Sequence, residues 1–369
     1  MEPFKNIYNQ SFFERFISGL QKVYPMFLSS RFLEAIYDQE WEGRELKQRM
    51  RHITLCLNQE LTNDYATNVE ILLQSIPYLK EEGFKSNNLE FIIYPDFLEV
   101  FGLAHYQVSV AAMETLTQFV SCEFGIRPFI LRYERDMLHQ MYRWTFHESE
   151  EVRRLASEGS RSRLPWAMAI PAFKEDPIKV LPILEALKDD NSEYVRRSVA
   201  NNLNDISKDH PEKVKEIAAE WLGVNENRVK LVKHACRTLL KAGDKDIMPL
   251  FGFGAIDQLH IHDFELHTPV VQIGQSLEFG FEVENTSISD ELLRVEYGVY
   301  YQKANGSLSR KVFKISEKKY GAKSRTSVTR KQPFKVITTR KLHVGEHQVS
   351  LIINGVELEK RVFELVGQI

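Results

Sequence analysis

The stretch "SEYVRRSVANNLNDIS", residues 192–207, carries the fold in its spacing. Val195, Val199, Leu203 and Ile206 fall on one stripe of a helix, the recurrence of a segment with a single buried face. On one flank of that stripe lie Tyr194, Ser198, Asn201, Asn202 and Asp205. A solvated helix face is normally built from Lys, Glu and Arg, which tolerate both helix and water. This one is short, mostly uncharged and poor in helix propensity, so another surface can come close to it. That surface is either a neighbouring helix, against which the Asn side chains are satisfied, or a ligand.

Working outward, "SEEVRRLASEG" (149–159) and "ENRVKLVKHACRTL" (226–239) align with the central helix at Val152, Val195 and Val229, at separations of 43 and 34 residues. "DPIKVLPILEALKDD" (176–190) supplies another apolar stripe with Ile178, Leu181, Leu184 and Leu187, and the stripe of Val229, Val232, Ala235 and Leu239 stops at Gly243. Periods of this size belong to two-helix solenoid repeats of the HEAT type. Residues 31–120 are also helical by pattern, without a phase. After about residue 262 the period becomes two: Leu277, Phe279, Phe281 and Val283 alternate with polar residues, as do Val295, Tyr297, Val299 and Tyr301. Asn305-Gly306 and Asn354-Gly355 separate such runs as hairpin turns. The expected architecture is multidomain, α then β. A HEAT-like-repeat α-solenoid (1–250) is followed by a linker (251–262) and an immunoglobulin-like β-sandwich (263–369).

Composition narrows the function classes. The chain has 369 residues, 43% hydrophobic and 27% charged, enough for two cores. No run approaches the roughly 18 apolar residues of a membrane span, and "MEPFKNIYNQSFFERF" has no leader-like apolar segment; the expectation is a cytoplasmic protein without a membrane partner. Cys56, Cys122 and Cys236 are too few and too scattered for a disulfide framework or a zinc site. The net charge of −3 hides a polarised molecule: residues 303–341 hold 13 Lys and Arg against one acid, Glu317. A polyanion responds to such a local field, not to the mean.

Residues 157–168, "SEGSRSRLPWAM", raise the chemical question. Glu158 ends a helix with Gly159 as the expected C-cap, where a carboxylate opposes the macrodipole by roughly 0.3–1 kcal/mol. Arg154, four residues earlier, either offsets that charge in an ordinary pair or stands beside a carboxylate kept for chemistry. Trp166 follows Pro165, which suits the first turn of a new helix. It is either a core indole or, beside Arg161 and Arg163, a surface that stacks on sugar or base. No phosphate-binding glycine loop, dinucleotide fingerprint, H-E-x-x-H or G-x-S-x-G occurs. His260, His262 and Asp263 have ligand-like spacing but no evident third and fourth ligands, so linker surface is favoured over a metal and no cofactor is expected.

"CEFGIRPFI" (122–130), "RRLASEGSRSRLPWA" (153–167), "DDNSEYVRRSVANNLNDISKDHP" (189–211) and "RTLLKAGD" (237–244) resemble the AlkC-type DNA glycosylases of the HEAT-like-repeat DNA alkylation repair family, over roughly residues 30–250. The C-terminal part is similar to the immunoglobulin-like extension of one AlkC subgroup. The resemblance implies base excision repair: hydrolysis of the N-glycosidic bond of N3-alkylated bases, 3-methyladenine and 3-methylcytosine, in double-stranded DNA. It implies that the lesion stays stacked or nearly so, unlike the base-flipping rule. It places Glu123, Glu158, Asp205 and Trp166 at the lesion-facing surface, with Arg154, Arg161, Arg163, Arg197 and Asn201 toward DNA. The basic β-domain, through Lys318, Lys319 and Lys323, is expected to add phosphate contacts. No obligatory protein partner is expected, and the protein is nucleoid-associated when bound to DNA. Two rivals stay open: a non-catalytic DNA-binding protein, and a protein-interaction adaptor, the common employment of such repeats.

Overall fold

The structure, a computed structural model, describes residues 3–336 and 341–367. Sixteen α-helices precede eight strands among these residues. The chain divides into two compact units: residues 1–214 with 221–235, and residues 215–220 with 236–369.

In the first unit, three helices repeat one pattern: Glu150–Gly159, Glu193–Ile206 and Glu226–Ala235. Counted from each first residue, the same positions are buried: Val152, Leu155, Ala156 and Gly159; then Val195, Ser198, Val199 and Asn202; then Arg228, Leu231, Val232 and Ala235. The third helix therefore aligns at Arg228, one residue before the expected Val229, which is 37% exposed. Hydrophobicity misleads here because Arg228 is held by a carboxylate. It donates from Nε and Nη2 to Asp189, and it also lies over the Trp221 ring. The preceding repeat is tied the same way: Arg153 donates from Nε and Nη2 to Asp190 at 2.6 and 3.0 Å. "DDNS" thus links both neighbouring repeats, and the long insertion before it holds the segment that builds the site. Ile178 falls in a 3-10 turn and is exposed; Val180, Ile183, Leu184 and Leu187 do the packing expected of it and Leu181.

In the second unit, β1 (Leu259–Leu266), β3 (Ser276–Asn285) and β6 (Ser324–Pro333) form one sheet. β2 (Val270–Gln272), β8 (Val356–Val366), β7 (Gly345–Ile353), β4 (Glu291–Gln302) and β5 (Leu308–Tyr320) form the other, in that order. Leu277, Phe279, Phe281 and Val283 on β3 meet Val295, Tyr297 and Val299 on β4 in the shared core. Both hairpins form. Asn354 and Gly355 turn with φ of 45° and 80°, the doubly left-handed pair of a type I′ turn.

Two boundaries differ from expectation. β1 starts at Leu259, inside the stretch expected as linker, and carries His260 and His262. The helices Arg237–Ala242 and Ile247–Leu250 belong to the second unit. Gly243, at φ 73°, lies against the β7–β8 turn so closely that a Cβ on it would meet the Gly355 carbonyl oxygen at 2.4 Å. That backbone contact ties the segment to the sandwich. His262 bonds Glu284 at 2.8 Å. No group of three His, Cys, Asp or Glu among the described residues is placed to hold a metal.

Candidate active site

Residues from two neighbouring repeats, the loop between them and the turn before the helix Arg127–Arg132 converge on one chain of ion pairs. Arg154 Nη1 donates to Glu123 Oε2 at 2.9 Å and its Nη2 lies 3.8 Å from Glu158 Oε1. Arg161 bridges the next two acids, Nη1 to Glu158 Oε1 at 2.6 Å and Nε to Asp205 Oδ2 at 2.7 Å. Ser198 donates to Glu158 Oε2 at 2.6 Å and accepts from Ser157 at 2.6 Å. Asn202 donates to the Ser157 carbonyl and to Ser160. Lys208 Nζ closes the chain on Asp205 Oδ1 at 2.8 Å. Three carboxylates thus stand among three cations, with Glu158, Arg161 and Asp205 all buried.

The polar flank of the central helix therefore serves both purposes that its composition allowed. Ser198 and Asn202 pack between repeats, while Asp205 takes part in the charge network and Tyr194 remains exposed. Arg154 lies over the Tyr194 ring, 4.5 Å from its centroid. Burial pulls the Arg161 guanidinium down, but Glu158 and Asp205 more than offset it, and its pKa ends above the ordinary value. Arg154 behaves alike, with Glu123 and Glu158 outweighing burial.

Gly159 is not a left-handed cap. It is the last residue of its helix, followed by Ser160 at φ −84°. A Cβ there would meet Ile126 at 3.0 Å and Met141 at 3.2 Å, so glycine lets the helix approach these two side chains closely. The macrodipole conflict at Glu158 is met by Arg161 at 2.6 Å, more directly than by Arg154.

Trp166 starts no helix; the next one is Pro171–Glu175. It sits in a turn at φ 65° and is 59% exposed. A left-handed conformation in a non-glycine residue costs roughly 1–3 kcal/mol and is kept where surroundings impose it. Lys47 donates to its carbonyl, and the Phe4 ring meets the indole edge-on at 6.3 Å. The indole borders a cleft of about 480 Å³ whose lining includes Glu123, Phe124, Arg154, Pro165 and Tyr194.

Sequence reasoning missed Arg127, which braces the loop from beneath. It is fully buried and donates to the Gly159 carbonyl at 3.1 Å and the Met168 carbonyl at 2.5 Å, so it holds both ends of the segment presenting Arg161 and Trp166. Burial, and then repulsion from Arg161, pull its pKa down to about 10. The arginine in "CEFGIRPF" was the available signal, but nothing local marks it as internal. Lys208 was missed because it reads as a surface lysine.

Of the residues expected to grip phosphates, Arg161 pairs with Glu158 and Asp205, Arg154 with Glu123, and, nearer the surface, Arg163 with Asp209. A buried guanidinium committed to two carboxylates is not free to follow a DNA backbone. Arg197 is exposed on the central helix and lines a second cleft with Lys230 and His234. Asn201 meets His234 at 2.9 Å. In the β-unit the charge is partly paired: Arg310 with Glu357, Arg325 with Glu282 and Lys331 with Glu278. Lys318 and Lys319 are exposed on the edge strand β5. Lys318 lies over the Tyr320 ring, and Lys323, in the β5–β6 turn, donates to the Thr286 carbonyl. Residues 337–340 of the basic run, with Arg340, lie outside the described residues.

The fold occurs in a solved relative. The alkylpurine DNA glycosylase AlkC of Pseudomonas fluorescens, bound to DNA containing an abasic site analogue, superposes with a TM-score of 0.93 at 33% identity, over 99% of this chain and 100% of that one. The chain belongs to the AlkC-type DNA glycosylases. A family model of DNA alkylation repair enzymes matches residues 111–237, the span from Glu123 to Lys208 included. The C-terminal immunoglobulin-like domain of the uncharacterised protein YhaZ matches residues 260–367. YhaZ of Bacillus subtilis is 43% identical over 355 residues, 96% of this chain and 97% of its own length. As in the AlkC type, a helical region precedes a β-sandwich. No helix among the described residues is long and apolar enough to cross a membrane.

Proposed function

We propose that this AlkC-type protein is a monofunctional glycosylase. In this reading it hydrolyses the N-glycosidic bond of cationic N3-alkylated bases, 3-methyladenine and 3-methylcytosine, in double-stranded DNA, with the base left in or near the stack. The observation that carries the reading is the convergence of Glu123, Glu158 and Asp205 beside an exposed, left-handed Trp166.

Alkylation at the ring nitrogen makes the base cationic. It leaves with the bonding electron pair and becomes neutral, so no general acid is required. Positive charge then develops on the deoxyribose, and carboxylates fixed before the reaction stabilise it without reorganising. Water adds to C1′ and yields its proton to a carboxylate. Asp205 and Glu158 would face C1′ and that water, Glu123 would attract the cationic base or assist the water, and Trp166 would pack on the deoxyribose and backbone. Arg154 and Arg161 hold the acids in register. Arg197, Asn201 and the exposed Lys318, Lys319 and Lys323 are the phosphate contacts of this reading, and the place of work is chromosomal DNA in the cytoplasm. In this reading the first unit carries the chemistry, while the helices Arg237–Ala242 and Ile247–Leu250, expected in the solenoid (1–250), go with the sandwich.

The test is release of methylated base from alkylated duplex DNA, identified by mass. Tight, salt-dependent binding without release would leave a non-catalytic DNA-binding protein. Absence of salt-dependent binding would leave an adaptor.

A further inference from the structure

The ion-pair chain ends on its most accessible member. Asp205 Oδ2 is held by Arg161, and both side chains are buried, 2% and 8% exposed. The other oxygen, Oδ1, meets Lys208, whose side chain is 40% exposed. Glu158 is closed on both oxygens by buried donors, Arg161 and Ser198. Glu123 faces an Arg154 packed on Tyr194. Lys208 lies just past the end of the Glu193–Ile206 helix, three residues after Asp205, on four flexible methylenes. An ammonium so exposed is weakly held and freely rehydrated. Asp205 Oδ1 is therefore the oxygen of this network whose cation can leave without opening the core.

We propose that Lys208 is a resident counterion that competes with substrate charge: in the free protein its ammonium occupies the seat at Asp205 that positive charge on the deoxyribose takes during base release. A cationic sugar displaces it; a neutral sugar does not. The proposal rests on the glycosylase reading above. With Lys208 in place, both oxygens of Asp205 are engaged by cations, Arg161 shared with Glu158 and Lys208 alone, and the carboxylate offers little to an ordinary, neutral nucleotide. When charge builds on the sugar, the lysine withdraws to solvent or phosphate and the freed oxygen takes the new cation. Because the lysine must leave first, it draws on the binding of that cation, and in return it keeps the buried carboxylate paired while no cation is bound.

The test uses the full chain and two duplexes of one sequence. One carries a neutral tetrahydrofuran in place of the nucleoside, the other a pyrrolidine protonated at its ring nitrogen. The readout is the ratio of the two dissociation constants. In Lys208→Met the preference for the cationic duplex should rise by about threefold or more, the size of an exposed ion-pair contribution. Lys208→Gln should do the same, and Lys208→Arg should hold the preference at or below the wild-type value. If the lysine also binds a phosphate, its removal weakens both duplexes alike and cancels in the ratio. An unchanged or smaller preference in both neutral variants overturns the proposal. Base release by the wild-type chain is measured alongside. Release with an unchanged ratio sinks only the role of Lys208, whereas a wild-type chain that releases no base sinks the glycosylase reading itself.

Discussion

Positive charge is arranged in opposite ways in the two units. Around Glu158 and Asp205 the arginines are buried or half-buried and committed, Arg161 to two carboxylates, Arg154 to Glu123, Arg127 to two backbone carbonyls, while Lys208 on Asp205 reaches solvent. On β5 and the β5–β6 turn, Lys318, Lys319 and Lys323 are exposed to solvent. A desolvated cation is kept only where its partners are fixed, so it holds geometry and cannot be lent to a passing phosphate. An exposed cation fixes nothing, but it contributes affinity that salt screens. The motif "RRLASEGSRSR" reads as a phosphate grip by composition, yet most of its arginines are internal braces.

The sharpest way to break the comparison is Arg161→Leu. Removing the central partner of a buried network leaves Glu158 to Ser198 and the more distant Arg154, and Asp205 to the exposed Lys208, and a loss of about 3–5 kcal/mol in unfolding free energy is expected by denaturant titration. A loss under about 1 kcal/mol would mean that Arg161 is a surface cation after all. Asp205→Asn comes next. It keeps size but removes charge, and release of 3-methyladenine should fall at least about tenfold, roughly 1.4 kcal/mol of barrier. Unfolding free energy should also fall by about 1–3 kcal/mol, because Arg161 loses a charged acceptor. A wild-type release rate in the folded variant would remove Asp205 from the chemistry.

Trp166→Ala should separate catalysis from stability. An indole this exposed should change unfolding free energy by no more than about 1 kcal/mol, while base release declines; a cost of about 3–5 kcal/mol would instead mark a core residue. Reversing Lys318, Lys319 and Lys323 to Glu should leave stability within about 0.5 kcal/mol. It should also flatten the slope of log K against log salt by about 0.9 for each phosphate no longer neutralised. An unchanged slope would reduce the basic run to protection of an edge strand. The smallest effect belongs to the repeat ladder. The hydrogen bond from Arg228 holds the Asp189 carboxyl below its ordinary value. The stability it lends is thus complete above the unfolded pKa of about 3.9 and lost as pH falls through the folded value. Arg228→Met should flatten the acid limb of a melting-temperature profile below about pH 4; an unaltered limb would show that the pair contributes nothing.

Much of this is legible in the chain alone. The stripe Val195, Val199, Leu203 and Ile206, the alternation on β3 and β4, and the Asn354-Gly355 turn are local patterns, and each is buried or turned as its period requires. Glu158, Trp166 and Asp205 stand out by residue type and by resemblance, Glu123 by resemblance alone, and the three acids fall on one ion-pair chain. What is not legible depends on partners distant in sequence. Val229 reads as the core residue because valine is apolar; Arg228 takes the place because Asp189, 39 residues earlier, neutralises it. Gly159 reads as a cap, yet its place is set by the close approach of Ile126 and Met141.

The sequence by itself determined the periods, the turns, the kinds of charge and the family likeness, since these are written between residues a few positions apart. Only the tertiary structure decided which arginines are buried, that Arg127 braces the loop from below, and that Trp166 stands in a left-handed turn at the edge of the cleft. The physical reason is that a guanidinium looks the same in a sequence whether it faces water or two carboxylates. Its role is set by desolvation and by partners that meet it only when the repeats stack.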